Sequence, residues 1–364
     1  MVLVLLLGLA ACGGDPEDRD DTAAPDRDAA PMPVSALEDA PPVPTVVVID
    51  ASGSMATEDA PGQRLQAAKD AVGAVVAGLP IGHEVGIVVY GTSTGGSPAE
   101  QGAGCQDVTV AVPLGPLQPR QVAAQLEPLQ PSGFTPIGLS LQVAADQLPD
   151  SGPRSIVVVS DGSDTCLPDG LGPDPCQIAG ALHAADDDLT VSTIGFRAAS
   201  EPGATEQLDC MAREGGGQHH DAASATLLGS RLAATMNSAW SEEALGARSF
   251  RGATIGATVA ELQAALGDEV PDVGDSGSAE IPLEGATLQL VDGVVTAIVV
   301  TAPGVRTIDG LAVGDTRDDV ERVHGETDPD ADVLIIPADE GAGTSFHLTL
   351  DDDAIMSIRL CACR

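Results

Sequence analysis

Lysine is nearly missing from this 364-residue chain: Lys69 is the only one, and 16 Lys and Arg stand against 55 Asp and Glu, a formal charge of −39. Nucleic acids hold proteins mainly through phosphate contacts, so this chain repels them. Aromatic residues make up 2%, with one Trp and one Tyr, which removes the stacking platforms that single strands require. The same acidity disfavours anionic membrane surfaces. Long apolar runs are missing too. Val2 to Ala11 is too short for the roughly 20 residues of a membrane-spanning helix but has the size of a signal-peptide core. No CxxC pair is present, which disfavours a zinc ribbon. Lys69 sits in no phosphate-cradling glycine loop. What is there in quantity is Gly, Pro and Asp, and enough chain for two domains that each bury a core.

The apolar run ends in Leu9-Ala10-Ala11-Cys12, which resembles the bacterial lipobox. That resemblance implies a signal peptide over 1–12, a lipid on Cys12 and a place in the bacterial cell envelope, with the membrane touched through that lipid alone. Residues 13–44 carry nine acidic residues, two arginines and seven prolines. Such a segment cannot repay the entropy of folding and reads as an extended tether. In an exported chain the remaining cysteines point to disulfides. Cys105, Cys166, Cys176 and Cys210 allow three pairings. A Cys166–Cys176 bridge would close a Pro/Gly-rich loop and leave Cys105 to Cys210, but spacing does not choose. Cys361-Ala-Cys363 is open between a local bridge, a cross-link and free thiols.

From 45 to 241, β-branched runs alternate with amphipathic stretches. Thr45–Ile49 and Ser155–Ser160 read as strands buried on both faces, and Arg64–Leu79 carries Leu65, Ala68, Val72, Val75, Val76 and Leu79 on one helical face. This predicts a doubly wound, mostly parallel α/β sheet with helices on both faces. The pattern changes from 250 to 364. Ile255–Gly267 lines up with Val313–Gly325, and Leu288–Ile298 with Leu348–Ile358, so two repeats are expected, about 252–305 and 310–364. Each reads as a short helix followed by a hairpin, with Asp292-Gly293 or Asp352-Asp353 at the turn. Together they predict a small α+β domain that resembles BamE-like and β-lactamase-inhibitor-like modules.

The first strand runs into Asp50-Ala-Ser52-Gly-Ser54, at the carboxyl edge where ligands collect in doubly wound sheets. Thr135, opening a helix, and Asp161, ending another buried strand, reach the same edge. Two carboxylates and three hydroxyls are hard oxygen donors and suit Mg²⁺ or Mn²⁺. In type, order and placement, Asp50, Ser52, Ser54, Thr135 and Asp161 resemble the metal-ion-dependent adhesion site of von Willebrand factor A domains. The resemblance implies direct ligation by Ser52 and Ser54, ligation by Thr135 directly or through water, and Asp50 and Asp161 acting mostly through waters. It also implies an open coordination position for an Asp or Glu carboxylate of a protein ligand. A binding protein is expected, not an enzyme, with no small-molecule cofactor and no nucleic-acid partner. The alternative is an envelope scaffold subunit whose C-terminal repeats make the main contact. His219-His220 is expected to be structural, and Asp328, Asp330 and Asp332 a solvated turn, because Val333 stands where a calcium loop needs glycine.

Overall fold

The computed structural model describes residues 43–363 apart from 61, 80–81, 199–200, 202, 237–243, 268–269, 272, 274–276 and 340–342. The expected signal peptide, Cys12 and nearly all of the tether lie outside the described residues. Two six-stranded sheets and a two-stranded one, β7 (Ser249–Phe250) with β8 (Ala253–Thr254), organise the rest.

The first sheet has the order β3-β2-β1-β4-β5-β6, with β1 Thr45–Asp50, β2 Val85–Tyr90, β3 Val108–Val112, β4 Arg154–Ser160, β5 Leu189–Phe196 and β6 Gly216–Ala222. All neighbours are parallel except β2 and β3. Alternation sorts β1 between two cores: Val47 and Ile49 face one, Val46 and Val48 the other. The first core is covered by α1 (Arg64–Gly78), α3 (Pro119–Leu126) and α7 (Ala225–Met236), and the second by α4 (Ile137–Ala145), α5 (Pro175–Ala185) and α6 (Ala204–Glu214). The four-residue α2 (Gln101–Gly104) lies in the loop between β2 and β3.

Strand β6 was not legible in the sequence. Gly215 to Gly217 reads as a helix stop, and Gln218-His219-His220-Asp221 lacks a strand's apolar alternation, yet the segment pairs with β5 at the sheet's edge. His219 there bonds Thr193 Oγ1 through Nδ1 at 2.8 Å, a structural role.

The second sheet corrects the expected repeat. Each half is a helix followed by three strands, not by a hairpin: α8 (Val259–Leu266) precedes β9 Ser278–Leu283, β10 Ala286–Val291 and β11 Val294–Val300, while α9 (Arg317–His324) precedes β12 Val333–Asp339, β13 Thr344–Asp351 and β14 Ala354–Cys361. The two antiparallel meanders join through β11 and β14 into one sheet, β12-β13-β14-β11-β10-β9. A lone hairpin is at best marginally stable, and the third strand with its twin supplies the breadth a core needs. The halves repeat in detail. Gly256 N–H donates to Val295 O and Gly314 N–H to Ile355 O, both at 2.8 Å, and Thr258 and Thr316 each cap their helix in a capping box. The Asp328 to Asp332 segment is a turn whose Asp328 carbonyl accepts from Arg317.

The two sheets share an apolar cluster running from Leu228 and Leu232 of α7 to Ile336, Phe346 and Leu360. At its heart the buried Arg231 donates to Ala338 O at 2.7 Å and pairs with the buried Asp309 at 2.8 Å, and His324 Nε2 stands 3.2 Å from the other Asp309 oxygen. Among the described residues no helix is long and apolar enough to cross a membrane.

Candidate functional site

Strand order reverses between β1 and β4, and their carboxyl ends carry Asp50 and Ser160-Asp161. Asp50 and Asp161 are fully buried, as are Ser52 and Thr135. The chain leaves β1 through a short 3-10 turn over Gly53–Ala56, and Ser52 N–H donates to Asp50 Oδ1 at 2.7 Å, folding the loop back on the strand. Ser52 Oγ lies 3.1 Å from Ser54 Oγ, which donates to Asp161 Oδ1 at 2.7 Å. Four of the five expected residues thus form one hydrogen-bonded chain.

Thr135 reaches this rim through its loop and not through a side-chain bond to the serines. Ser132 N–H donates to Ala51 O at 2.8 Å, and Gly53 N–H to Gly133 O at 3.3 Å. Thr135 N–H donates to Thr165 Oγ1 at 2.9 Å, while Asp164 accepts from the N–H groups of Gly138, Cys166 and Leu167. These bonds fasten the start of α4 to the loop after β4, so Thr135 and Asp161 are held as one unit.

The oxygen spacing tests whether a hard cation fits. Adjacent ligand oxygens of an octahedral Mg²⁺, with bonds of about 2.0–2.1 Å, lie about 2.9 Å apart. The two serine oxygens, 3.1 Å apart, lie close to that value, while the 2.7 Å bond from Ser54 to Asp161 holds a carboxylate behind them. The residues fit such an ion.

Several contributors had no signal in the sequence. Arg64, at the start of α1, donates to Asp161 Oδ2 at 2.8 Å while its other nitrogens grip both oxygens of Asp59, also at 2.8 Å. Asp161 therefore offers Oδ1 to the serine side and spends Oδ2 on a guanidinium, and the Arg64 bond holds Asp59 down at about 2. Ser160 donates to Asp50 Oδ2 at 2.6 Å, and Tyr90 donates to Ser160 at 3.1 Å. Burial keeps the Tyr90 phenol protonated and fixed as that donor. Arg64 and Asp161 are 97 residues apart, so spacing could not relate them. The loop Gly91-Thr-Ser-Thr-Gly95 has nucleophile-elbow spacing, but it leads into no adjoining helix and Ser93 Oγ donates to Asp107 Oδ1.

Burial, then the nearby Asp161 carboxylate, raises Asp50 from 3.8 to about 6. A carboxyl raised by folding favours the folded state below its unfolded value and loses that advantage as pH climbs through the folded one. In divalent-free buffer the protein is therefore expected to lose stability between pH 4 and 6. Asp50→Asn should flatten that slope in thermal melts, and an unchanged slope would contradict the assignment.

The cysteines pair as Cys105–Cys166, Cys176–Cys210 and Cys361–Cys363. The Cys166–Cys176 loop closure is not formed. Instead Cys105, just after α2, ties the β2–β3 loop to the segment following Asp161. Removing this bridge with Cys105→Ala and Cys166→Ala is expected to cost about 2–4 kcal/mol in urea unfolding.

Residues 45–163 match the family model described as the von Willebrand factor type A domain. Two Bacillus subtilis (strain 168) proteins, both named uncharacterized, are similar. YwmC is 28% identical over 184 residues, covering 50% of this chain and 77% of YwmC, and YwmD is 26% identical over 182 residues, covering 49% and 78%. A solved von Willebrand factor type A structure from Catenulispora acidiphila is 19% identical and covers 60% of this chain and 44% of its own, with a TM-score of 0.42. Over residues 45–163 the chain is therefore similar to von Willebrand factor type A domains.

Proposed function

We propose that this protein binds another protein through a divalent ion held at the rim of the first sheet. Ser52 and Ser54 would ligate Mg²⁺ or Mn²⁺ directly, Thr135 directly or through water, and Asp50 and Asp161 mostly through waters. An ion so held keeps much of its positive charge, because one carboxylate is partly neutralised by Arg64 and the other reaches it through the solvent shell. An outward coordination position would then take an Asp or Glu side chain of the partner. The observation that carries this reading is the pair of serine oxygens 3.1 Å apart, backed by the buried Asp50 and Asp161 carboxylates. With Cys12 lipidated, the module would stand off the envelope on its acidic tether.

Thermal melts across a Mg²⁺ or Mn²⁺ titration test it. An ion that binds only the folded state stabilises by about 2.7 kcal/mol at 100 times its Kd. The wild type should show this gain, and Asp50→Ala and Ser52→Ala should not. Equal gains in all three proteins would end the proposal. Capture of a partner from envelope extract should likewise fail with chelator and with Ser52→Ala.

One observation favours the scaffold reading as a second possibility. Strand β12 is an edge strand, its Ile335 is 64% exposed beside Val333, and both line a cleft of about 540 Å³. Exposed apolar edges invite pairing. Ile335→Asp should abolish partner capture under the scaffold reading and leave it intact under the metal-dependent one.

A further inference from the structure

We infer that His347, Cys361 and Cys363 form a second metal site, one for a thiophilic ion, Cu(I) or Zn(II), that is open when the two cysteines are thiols and closed when they are joined. The site lies on the C-terminal sheet, far in sequence from the hydroxyl and carboxylate cluster and opposite to it in chemistry. Strand register builds it. Ser345 pairs with Cys361 and His347 with Arg359 across β13 and β14, and side chains two apart on a strand share a face. Ser345, His347, Arg359 and Cys361 therefore line one face, opposite to the core face of Phe346, Leu348 and Leu360. Cys363 follows two residues on.

A ring nitrogen of His347 and both sulfurs lie within 4.8 Å of one another. Ser345 Oγ is 3.0 Å from His347 Nε2 and also donates to the Cys363 carbonyl at 3.4 Å, which holds the ligand set together. A local disulfide by itself would need neither histidine nor serine.

Two thiolates and an imidazole are a soft donor set that selects Cu(I) or Zn(II) over Mg²⁺. Arg359 stands on the same face and carries one positive charge. Its charge with that of Cu(I) balances the two sulfurs, whereas Zn(II) leaves one positive charge and needs a fourth donor, for which the Ser345 hydroxyl is at hand. Cys361 is buried while Cys363 is exposed, so an ion arriving from solvent meets Cys363 first.

In the structure the two sulfurs are bonded to each other. Opening the site takes two electrons and two protons from a thiol reductant. Two RSH become RSSR, the sulfur–sulfur bond breaks and each cysteine gains a hydrogen. Metal then displaces both protons. The bridge spans two residues, and so short a loop adds little stability through chain entropy.

The test uses the full chain, reduced anaerobically, freed of reductant and titrated separately with Zn(II) and Cu(I) against chromophoric chelators. The C361S/C363S variant, treated identically, accounts for thiols released from the other two bridges. The reduced wild type should bind one equivalent more than C361S/C363S of at least one ion. His347→Ala should weaken that equivalent by tenfold or more, and the oxidised wild type should lack it. With Co(II) as probe, the thiolate charge-transfer absorption should appear in the reduced wild type and not in C361S/C363S. No extra equivalent for either ion, equal affinity in His347→Ala, or equal binding by oxidised protein would each overturn the inference.

Discussion

Replacing Asp309 by alanine is expected to lower the unfolding free energy by about 3–5 kcal/mol, because it strands the Arg231 guanidinium in the interior. Arg231 and Asp309 are both essentially sealed from solvent. One guanidinium nitrogen already serves the Ala338 carbonyl as well as the carboxylate, at 2.7 and 2.8 Å. With the carboxylate gone, the buried guanidinium keeps the Ala338 carbonyl but loses its counter-charge. The double variant Arg231→Met with Asp309→Leu removes both charges and should recover most of the loss, since a buried ion pair replaced by apolar side chains of similar volume is often neutral or stabilising. Urea unfolding of the two variants measures this. A loss below about 1 kcal/mol for Asp309→Ala would show that the pair is not a junction clamp. The clamp also means that the second sheet cannot be deleted cleanly, because it covers apolar surface of α7.

Gly91→Ala should be nearly as damaging and should strike the rim directly. Gly91 has φ of +71°, and an added Cβ would stand 2.7 Å from both Ser52 Cα and Ser52 N, and 2.8 Å from Ser132 O. All three are backbone atoms that cannot swing aside. Left-handed backbone costs an L residue about 1–2 kcal/mol, and overpacking adds about 1–3 kcal/mol, so a loss of roughly 2–5 kcal/mol is expected from both together. Displacing Ser52 would also erase the Mg²⁺-dependent gain in melting temperature. Gly62→Ala is the control. Its φ is +101° with nothing within 4 Å of the added carbon, so it carries backbone strain alone and should keep the metal response. If Gly91→Ala retains a full metal response, the rim is more plastic than its packing implies.

The resemblance named five residues, of which the structure brings Asp50, Ser52, Ser54 and Asp161 into one hydrogen-bonded chain with the Thr135 loop fastened beside it. Its neighbours Arg64, Ser160, Tyr90 and Gly91 were not anticipated. A motif with fixed local spacing survives in sequence, whereas a guanidinium reaching across 97 residues has no periodicity to betray it. The repeat was visible at Thr258 and Thr316 because capping residues and turns are local chemistry. Its third strand was not, because β9 and β12 acquire their faces only by pairing with β10 and β13.

Continuous β-branched runs and loop chemistry, both set by neighbours in the chain, determined by themselves that strands such as β1 are buried on both faces and that hard oxygen donors follow β1 and β4. Tertiary structure alone decided which cysteines met, that Arg64 would share Asp161, that β6 would complete the first sheet and that two meanders would merge into one. Those outcomes depend on contacts between distant segments, whose energies exist only once the chain has closed the loops between them.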